Sequence, residues 1–414
     1  MKMRMNKAIP ASATNKRMGY SSNKSASIGD LLLKLINELF RKHRKYAFLI
    51  SSILLISCAH REPSVVKSSQ NNSTVSDVAV LMHESTNLSS LPGWNNDSME
   101  DVWVTWQKSC NYIQKAMKHS PLYTACIAAT HVKNPTNTEI KQYFENHFQA
   151  MPLHQVEPTQ GYAQGSSLGL ITGYYEPILK GSLTRTRHYQ IPLHQYPTGW
   201  QSDQKLMRPT RAELLQSGKL KGSELVWVND PVAAAFMQIQ GSGKIQLENG
   251  KILRLGFAGT NNQSYASIGN WLIQQKELTA SQASMQNIAA WARSHPERVS
   301  DLLNANPRYV FFRVVQSKSN EEGPIGALNE PLTAQRSIAV DWQYIPKGSP
   351  VFLSTSDPKT GKKIERLVFA QDTGNAIVGS VRADFYWGSG DAAGEKAGMT
   401  KQSGSMWLLK PKIK

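Results

Sequence analysis

Apolar residues recur along this chain with two different periods. Between about residues 97 and 150 the period is helical. Val102, Trp106, Cys110, Ile113 and Met117 follow one another at spacings of four, four, three and four. That spacing predicts one buried face of a helix capped near Asp97 or Ser98. A second helix is expected over Leu122–Val132. A third opens at a capping box, Thr136-x-x-Glu139, and continues through Ile140, Phe144 and Phe148. Pro152 and Pro158 end the helical stretch. From about Leu168 the pattern shortens to β-rich runs separated by Gly, Pro and Asn turns. The runs are LGLITGYYEP, HYQIPLHQY, LVWVND, FMQIQGSGKIQL and ILRLGFAGTN. Helices return over Met285–Arg293 and Pro296–Asn304. Strands then resume as YVFFRVV, SIAVDW, PVFLST, RLVFAQDTG, ADFYWG and MWLLKP. The expectation is a mainly β, mainly antiparallel architecture with some α-helix and no repeat of fixed period.

Upstream of this material the texture is different. A basic cluster, Arg41-Lys42-His43-Arg44-Lys45, precedes an apolar run from Tyr46 to Ile56 that closes on Leu55-Ile56-Ser57-Cys58. The run is too short to span a bilayer comfortably but suits the core of a signal peptide. Its ending resembles the lipobox of bacterial lipoproteins, which implies lipidation of Cys58; a short buried helix with an incidental cysteine is the other reading. A start at Met18 would give the signal a more usual length. Residues 1–57 are read as the signal region. Residues 58–90, rich in Ser, Asn and Thr, are read as a flexible tether. Order is expected from near Asp97. Ala59, after the cysteine, points by the same resemblance to the outer membrane, facing the periplasm.

Charge changes the picture little. The chain of 414 residues has 47 basic and 30 acidic side chains, net +17. Residues 1–57 alone hold 11 basic and 2 acidic side chains. The remainder shows no basic stripe interleaved with aromatics, so nucleic acid is not an expected partner. A mildly basic surface suits an anionic wall or membrane. Cys110 and Cys126 could pair in an oxidising compartment, but both fall on apolar helix faces that suit buried free thiols equally well. With no CxxC and no HExxH, no metal is expected, and no cofactor motif is present.

The candidate chemistry lies near the C-terminus. Asp341, Asp372 and Asp384 sit in or beside β runs, where a charge is expensive to bury without a partner. Turn or strand-end roles would explain them; for Asp341 that reading is as good as a functional one. Asp384 is followed by Phe385-Tyr386-Trp387, aromatics that could desolvate a carboxyl and stack on a sugar. Gly388-Ser389-Gly390-Asp391 then leads into a short helix capped at Ser389 or Asp391. Its N-terminus could stabilise negative charge on Asp384.

Five motifs, in order, carry a resemblance. They are Thr172-Gly173-Tyr174-Tyr175-Glu176-Pro177, Gln238-Ile239-Gln240-Gly241-Ser242-Gly243, Gly256-Phe257-Ala258-Gly259-Thr260-Asn261, Asn306-Pro307-Arg308-Tyr309-Val310-Phe311-Phe312, and the set Asp341, Asp372 and Asp384. With them the chain resembles the membrane-bound lytic murein transglycosylase A family over roughly residues 95–414. The resemblance implies a double-psi β-barrel with helices, interrupted by an inserted β-rich domain. The barrel would join 91–178 to 315–414, and the insert would be 179–314. Asp384 would be the catalytic acid and Asp372 its supporting aspartate. Thr172, Tyr174, Gln240, Gly241, Ser242, Trp387 and Asp341 would contact substrate.

The implied reaction cleaves the β-1,4 bond between N-acetylmuramic acid and N-acetylglucosamine without water, leaving a 1,6-anhydro end. Its setting would be wall turnover and remodelling. Peptidoglycan is the expected partner, with a membrane reached through a lipid on Cys58 and a wall-synthesis or wall-degradation complex as a further candidate. An inverting glycoside hydrolase on the same barrel and a non-catalytic glycan-binding wall protein are the rival classes.

Overall fold

A computed structural model describes residues 85–412 except 202–205, 317–318 and 320–321. The signal region and Cys58 therefore lie outside the described residues, as does the tether up to residue 84. Among the described residues no helix is long and apolar enough to cross a membrane.

Order begins earlier than the composition of the tether suggests. Thr86 exchanges backbone hydrogen bonds with Ala150 at 2.9 Å each, and Leu88 and Trp94 are buried. Isolated Leu and Trp residues among polar neighbours have no period, so only their packing reveals them. Asp97 does not cap a helix. It accepts two 2.8 Å bonds from the Arg336 guanidinium and another from the backbone N–H of Leu367. The helix starts at Val102 instead and runs to Ala116. Helix Pro121–Thr130 is capped by Ser120, and helix Asn137–His147 by the expected box, both of whose bonds are present. Cys110 and Cys126 form a disulfide across the first two helices, Cα to Cα 5.2 Å.

Phe148 is not helical. It opens strand β1 (Phe148–Pro152), which pairs antiparallel with the C-terminal strand β13 (Lys401–Pro411). Six strands close into a ring: β13, β10 (Pro350–Ser356), β11 (Lys363–Asp372), β9 (Ser337–Val340), β12 (Arg382–Ser389) and β2 (Gly169–Glu176), with β2 pairing back onto β13. Closure leaves the ring without a free edge. Two of its pairs, β11 with β9 and β12 with β2, are parallel. The strands read as continuous apolar runs because both faces are covered. Val351, Leu353, Val368, Ala370, Ala383 and Phe385 fill the ring. Phe352, Leu367 and Phe369 alternate outward and pack on Trp94, Trp106 and Phe144 of the N-terminal layer. The architecture is the barrel expected: mainly β, with helices.

A second sheet of six strands is drawn from residues 178–315, in the order β4 (Ile191–His194), β5 (Glu224–Val228), β3 (Ile178–Ser182), β6 (Gly243–Leu247), β7 (Ile252–Thr260) and β8 (Val310–Val315). A single bridge between Gln195 and Phe312 nearly closes it. One run expected as strand is half helix: Pro231–Gln240. Asp230 accepts bonds from the N–H groups of Val232 and Ala233, Pro231 starts the turn, and Gly241, at φ 78°, ends it in the left-handed conformation. Strong caps at both ends outweigh the β appearance of FMQIQ.

Candidate active site

Strands β2 and β12 run side by side in parallel, with Thr172 opposite Asp384. The Thr172 hydroxyl donates to Asp384 Oδ1 at 2.6 Å. Asp384 is surrounded by protein yet keeps a partly exposed edge. Burial raises its pKa, because a carboxylate loses water there. The Thr172 hydroxyl and the Arg382 charge pull the other way, and burial prevails.

Asp372 lies on the far side of β9. It and Asp384 both stand opposite Ala339, one on each flanking strand. Two strand spacings put their Cα atoms about 10 Å apart. The Tyr174 hydroxyl donates to Asp372 Oδ2 at 3.0 Å, and the Ala327 N–H donates to Oδ1 at 3.1 Å. Burial pushes the Asp372 carboxyl up to about 6 against these bonds, and the charge of Asp384 adds to the rise. Gln371, one residue earlier, is locked by Ser337 Oγ, the Thr105 carbonyl and Ser109 Oγ, which ties this end of β11 to helix Val102–Ala116.

Strand alternation separates the three aromatics after Asp384. Tyr386 shares its face, and its ring lies 5.2 Å from that of Tyr174. Phe385 and Trp387 point the other way, into the barrel core. Trp387 is only 6% exposed, and its indole N–H donates to Thr400 Oγ1 at 2.9 Å. It is thus a core residue and not a sugar platform. The aromatic on the acid's own face is Tyr386, which the period of two would have identified.

Asp341 is also reassigned. Its carboxylate accepts from the N–H groups of Gln343 and Gly379, both at 3.0 Å, and so organises the turn after β9. The expected helix, Asp391–Met399, forms without a side-chain cap. At its start Gly390 N–H donates to the Glu176 carbonyl, and Ser389 Oγ to the Glu176 carboxylate. Its first residues therefore engage Glu176 rather than Asp384.

Glu176 is the residue whose role was missed. It is 1% exposed at the end of β2, with Lys244 Nζ at 3.2 Å and Arg254 Nη1 at 3.8 Å. Both cations come from the second sheet, so the cluster fastens that sheet to strands β2 and β12. The bridge is extended by Gln240, whose Oε1 accepts from the backbone N–H of Tyr175 at 3.2 Å. The TGYY and QIQGSG segments thus meet directly, with Gly241 as the helix cap and Ser242 buried behind it. Among the described residues no group of His, Cys, Asp and Glu could hold a metal ion. His194 is buried against the Tyr309 hydroxyl at 2.8 Å, and burial lowers its pKa to about 4.

The family model for the MltA specific insert domain matches residues 170–313, and that for the 3D domain matches 336–410. The lytic transglycosylase LtgG of Burkholderia pseudomallei is 44% identical, over 82% of this chain and 99% of that one, with a TM-score of 0.58. The chain belongs to the MltA family. The membrane-bound lytic murein transglycosylase A of Escherichia coli K12 is 34% identical over 247 residues, which are 58% of this chain. That match spans 65% of the E. coli protein's length. A structure of E. coli MltA with bound chitohexaose shares 28% identity over 75% of this chain and 90% of that one, with a TM-score of 0.59.

Proposed function

We propose that this protein is a lytic transglycosylase of peptidoglycan, with Asp384 as its single acid and base. The carrying observation is a carboxyl group that burial keeps protonatable, hydrogen-bonded to one hydroxyl and open along one edge. Names of relatives support the reaction class: murein transglycosylase in E. coli, and an oligosaccharide of N-acetylglucosamine bound by an MltA crystal structure.

Protonated Asp384 gives its proton to the glycosidic oxygen as the bond to the muramic anomeric carbon breaks. The carboxylate then takes the proton of the muramic 6-hydroxyl as that oxygen bonds to the same carbon. One group serves both halves, no water enters, and the product is a 1,6-anhydro end. Tyr174 and Ala327 hold Asp372, whose charge would modulate the acid. Mass analysis of products from purified sacculi tests this reading. Anhydro ends lighter by one water than reducing ends are expected; reducing ends alone would overturn it.

A second reading draws on the spacing of the aspartates. Inverting hydrolases separate their two carboxyl groups by about 6.5–9.5 Å to hold a water. Asp372 and Asp384 stand on the two strands that flank β9, and burial raises the pKa of both. The same product analysis separates the two. A wild-type chain that binds glycan but never turns it over would instead favour a wall-binding protein. Lipidation at Cys58, with an outer-membrane location facing the periplasm, completes the proposal. Incorporation of labelled palmitate, lost in Cys58→Ala, tests it.

A further inference from the structure

Strand β12 presents Arg382, Asp384 and Tyr386 on one face, since Ala383, Phe385 and Trp387 turn into the barrel core. Arg382 is therefore the acid's neighbour along its own strand, roughly 6–7 Å away from Cα to Cα. It is only 6% exposed. Its Nη1 donates to the carbonyl of Ala383 and, at 3.3 Å, to that of Leu170, its register partner on β2. Its Nε has no hydrogen-bond partner, and Arg382 makes no ion pair among the described residues. A guanidinium keeps its charge when buried, and burying it without a carboxylate contact is costly. Two carbonyl acceptors need donors, not a full positive charge. The carboxyl group that this charge reaches is that of Asp384.

A cycle run by one carboxyl gives such a charge a use. Asp384 must hold a proton when the glycan binds and must stand ionised once it has donated it. Burial works against the ionised state. A cation in direct contact would hold the carboxylate ionised from the start. Arg382, out of contact, supports the ion at a distance without forming that pair. We propose that Arg382 is a positioning residue for Asp384, a fixed buried cation that steadies the carboxylate between release and recovery of the proton. The inference rests on the glycan-cleaving reading given above. The other groups around the acid do not duplicate this cation. Strand β2 brings the Thr172 hydroxyl and Tyr174, β12 brings Tyr386, β11 brings the acidic Asp372, and β9 offers only Ala339. Burial raises both tyrosine hydroxyls, which keeps them neutral. Lys401 of β13 stands opposite Thr172, so that residue lies between it and the acid.

The pH dependence of turnover on sacculi tests it in the full chain. Arg382→Gln keeps a donor and Arg382→Met keeps the stem, and neither keeps the charge. Without the cation the Asp384 carboxylate is less favoured, so its proton is held more tightly. The limb on which rate falls with rising pH should move up by about one unit, with kcat about tenfold lower and KM within about twofold. Arg382→Lys should leave the limb in place. The NMR signal of the Asp384 carboxyl carbon, identified by its absence in Asp384→Asn, should titrate about one unit higher in the neutral variants. A limb and a signal that stay in place in those variants, or move to lower pH, overturn the inference. So does a lysine variant whose limb moves as far as theirs, because the effect would then belong to guanidinium packing. If the neutral variants do not fold, the lysine variant decides alone: a limb in place supports the charge, and a displaced one overturns it. A wild-type chain that leaves sacculi uncut would instead sink the glycan reading itself, and the carboxyl titration would still judge the role of Arg382.

Discussion

Strands β2 and β12 carry two buried carboxyl sites along one parallel pairing, and the two are treated in opposite ways. At Thr172 and Asp384 the carboxyl receives one hydroxyl bond, and its pKa is raised by burial. At Glu176 and Ser389, four residues further along β2, the carboxylate is met by Lys244, Arg254 and a serine hydroxyl. The cost of burying a charge is offset by ion pairing in the second case. In the first it is left standing, and the group remains a proton donor. On the proposed function the difference separates chemistry from assembly: one carboxyl stays protonatable for catalysis, and the other joins two sheets.

The largest effect is expected from Asp384→Asn. Loss of a general acid and base costs about 10²–10⁴ in rate. The turnover of sacculi should fall by that factor with an unchanged circular dichroism spectrum; residual activity above a tenth of wild type would end the contrast. Glu176→Leu should instead act on stability. Removing one member of a buried pair strands its partners, at about 3–5 kcal/mol, measured by urea unfolding. Adding Lys244→Met should recover part of that loss. If Glu176→Leu proved neutral, the cluster would not be the fastening described.

Thr172→Val is a smaller test. Losing the hydroxyl removes a donor that favours the charged form, so the Asp384 pKa rises further. The limb on which rate falls with rising pH, as the acid is deprotonated, should move upward, with about a tenfold lower kcat from lost positioning. A limb that moved to lower pH would contradict the assignment.

The smallest effect concerns Asp372, whose carboxyl is pushed up to about 6 in the folded chain, above the 3.8 expected when unfolded. Between those values the folded state binds more protons, so stability contributed by this group is present below about pH 4 and is lost as pH rises through about 6. Asp372→Asn removes a charge whose burial is worth up to about 3 kcal/mol at pH 7, but its amide can accept only one of the two bonds, so a net gain of about 1 kcal/mol is expected at pH 7 and should be lost at pH 4. Calorimetry at the two pH values reads it.

Much of this contrast could be read in the chain before its folding. The β runs and the capping box at Thr136 were legible because period and cap chemistry are local. Asp384 stood out as a charge in an apolar strand. Its partnership with Thr172 was not accessible to local reasoning, because the pair is 212 residues apart and depends on strand register. Trp387 shows a different failure. The run Phe385-Tyr386-Trp387 suggested a platform, but alternation allots only Tyr386 to the acid's face. Glu176 stayed obscure because its two cations arrive from another sheet. Leu88, within the stretch read as tether, and Trp94, ahead of the expected onset of order near Asp97, are placed in the core only by packing.

Ring closure has a consequence for synthesis. The strand that seals the barrel, β13, follows every other strand in the chain, and it pairs with β1, β2 and β10. The second sheet, by contrast, uses one continuous stretch, 178–315, and has all its strands available much sooner. A growing chain therefore holds Thr172 long before Asp384 exists, and it cannot seal the barrel until β13 has emerged. Pairings between distant residues form late and slowly. On the proposed function, a nascent or truncated chain is thus unarmed, and cutting power would appear only when assembly is finished.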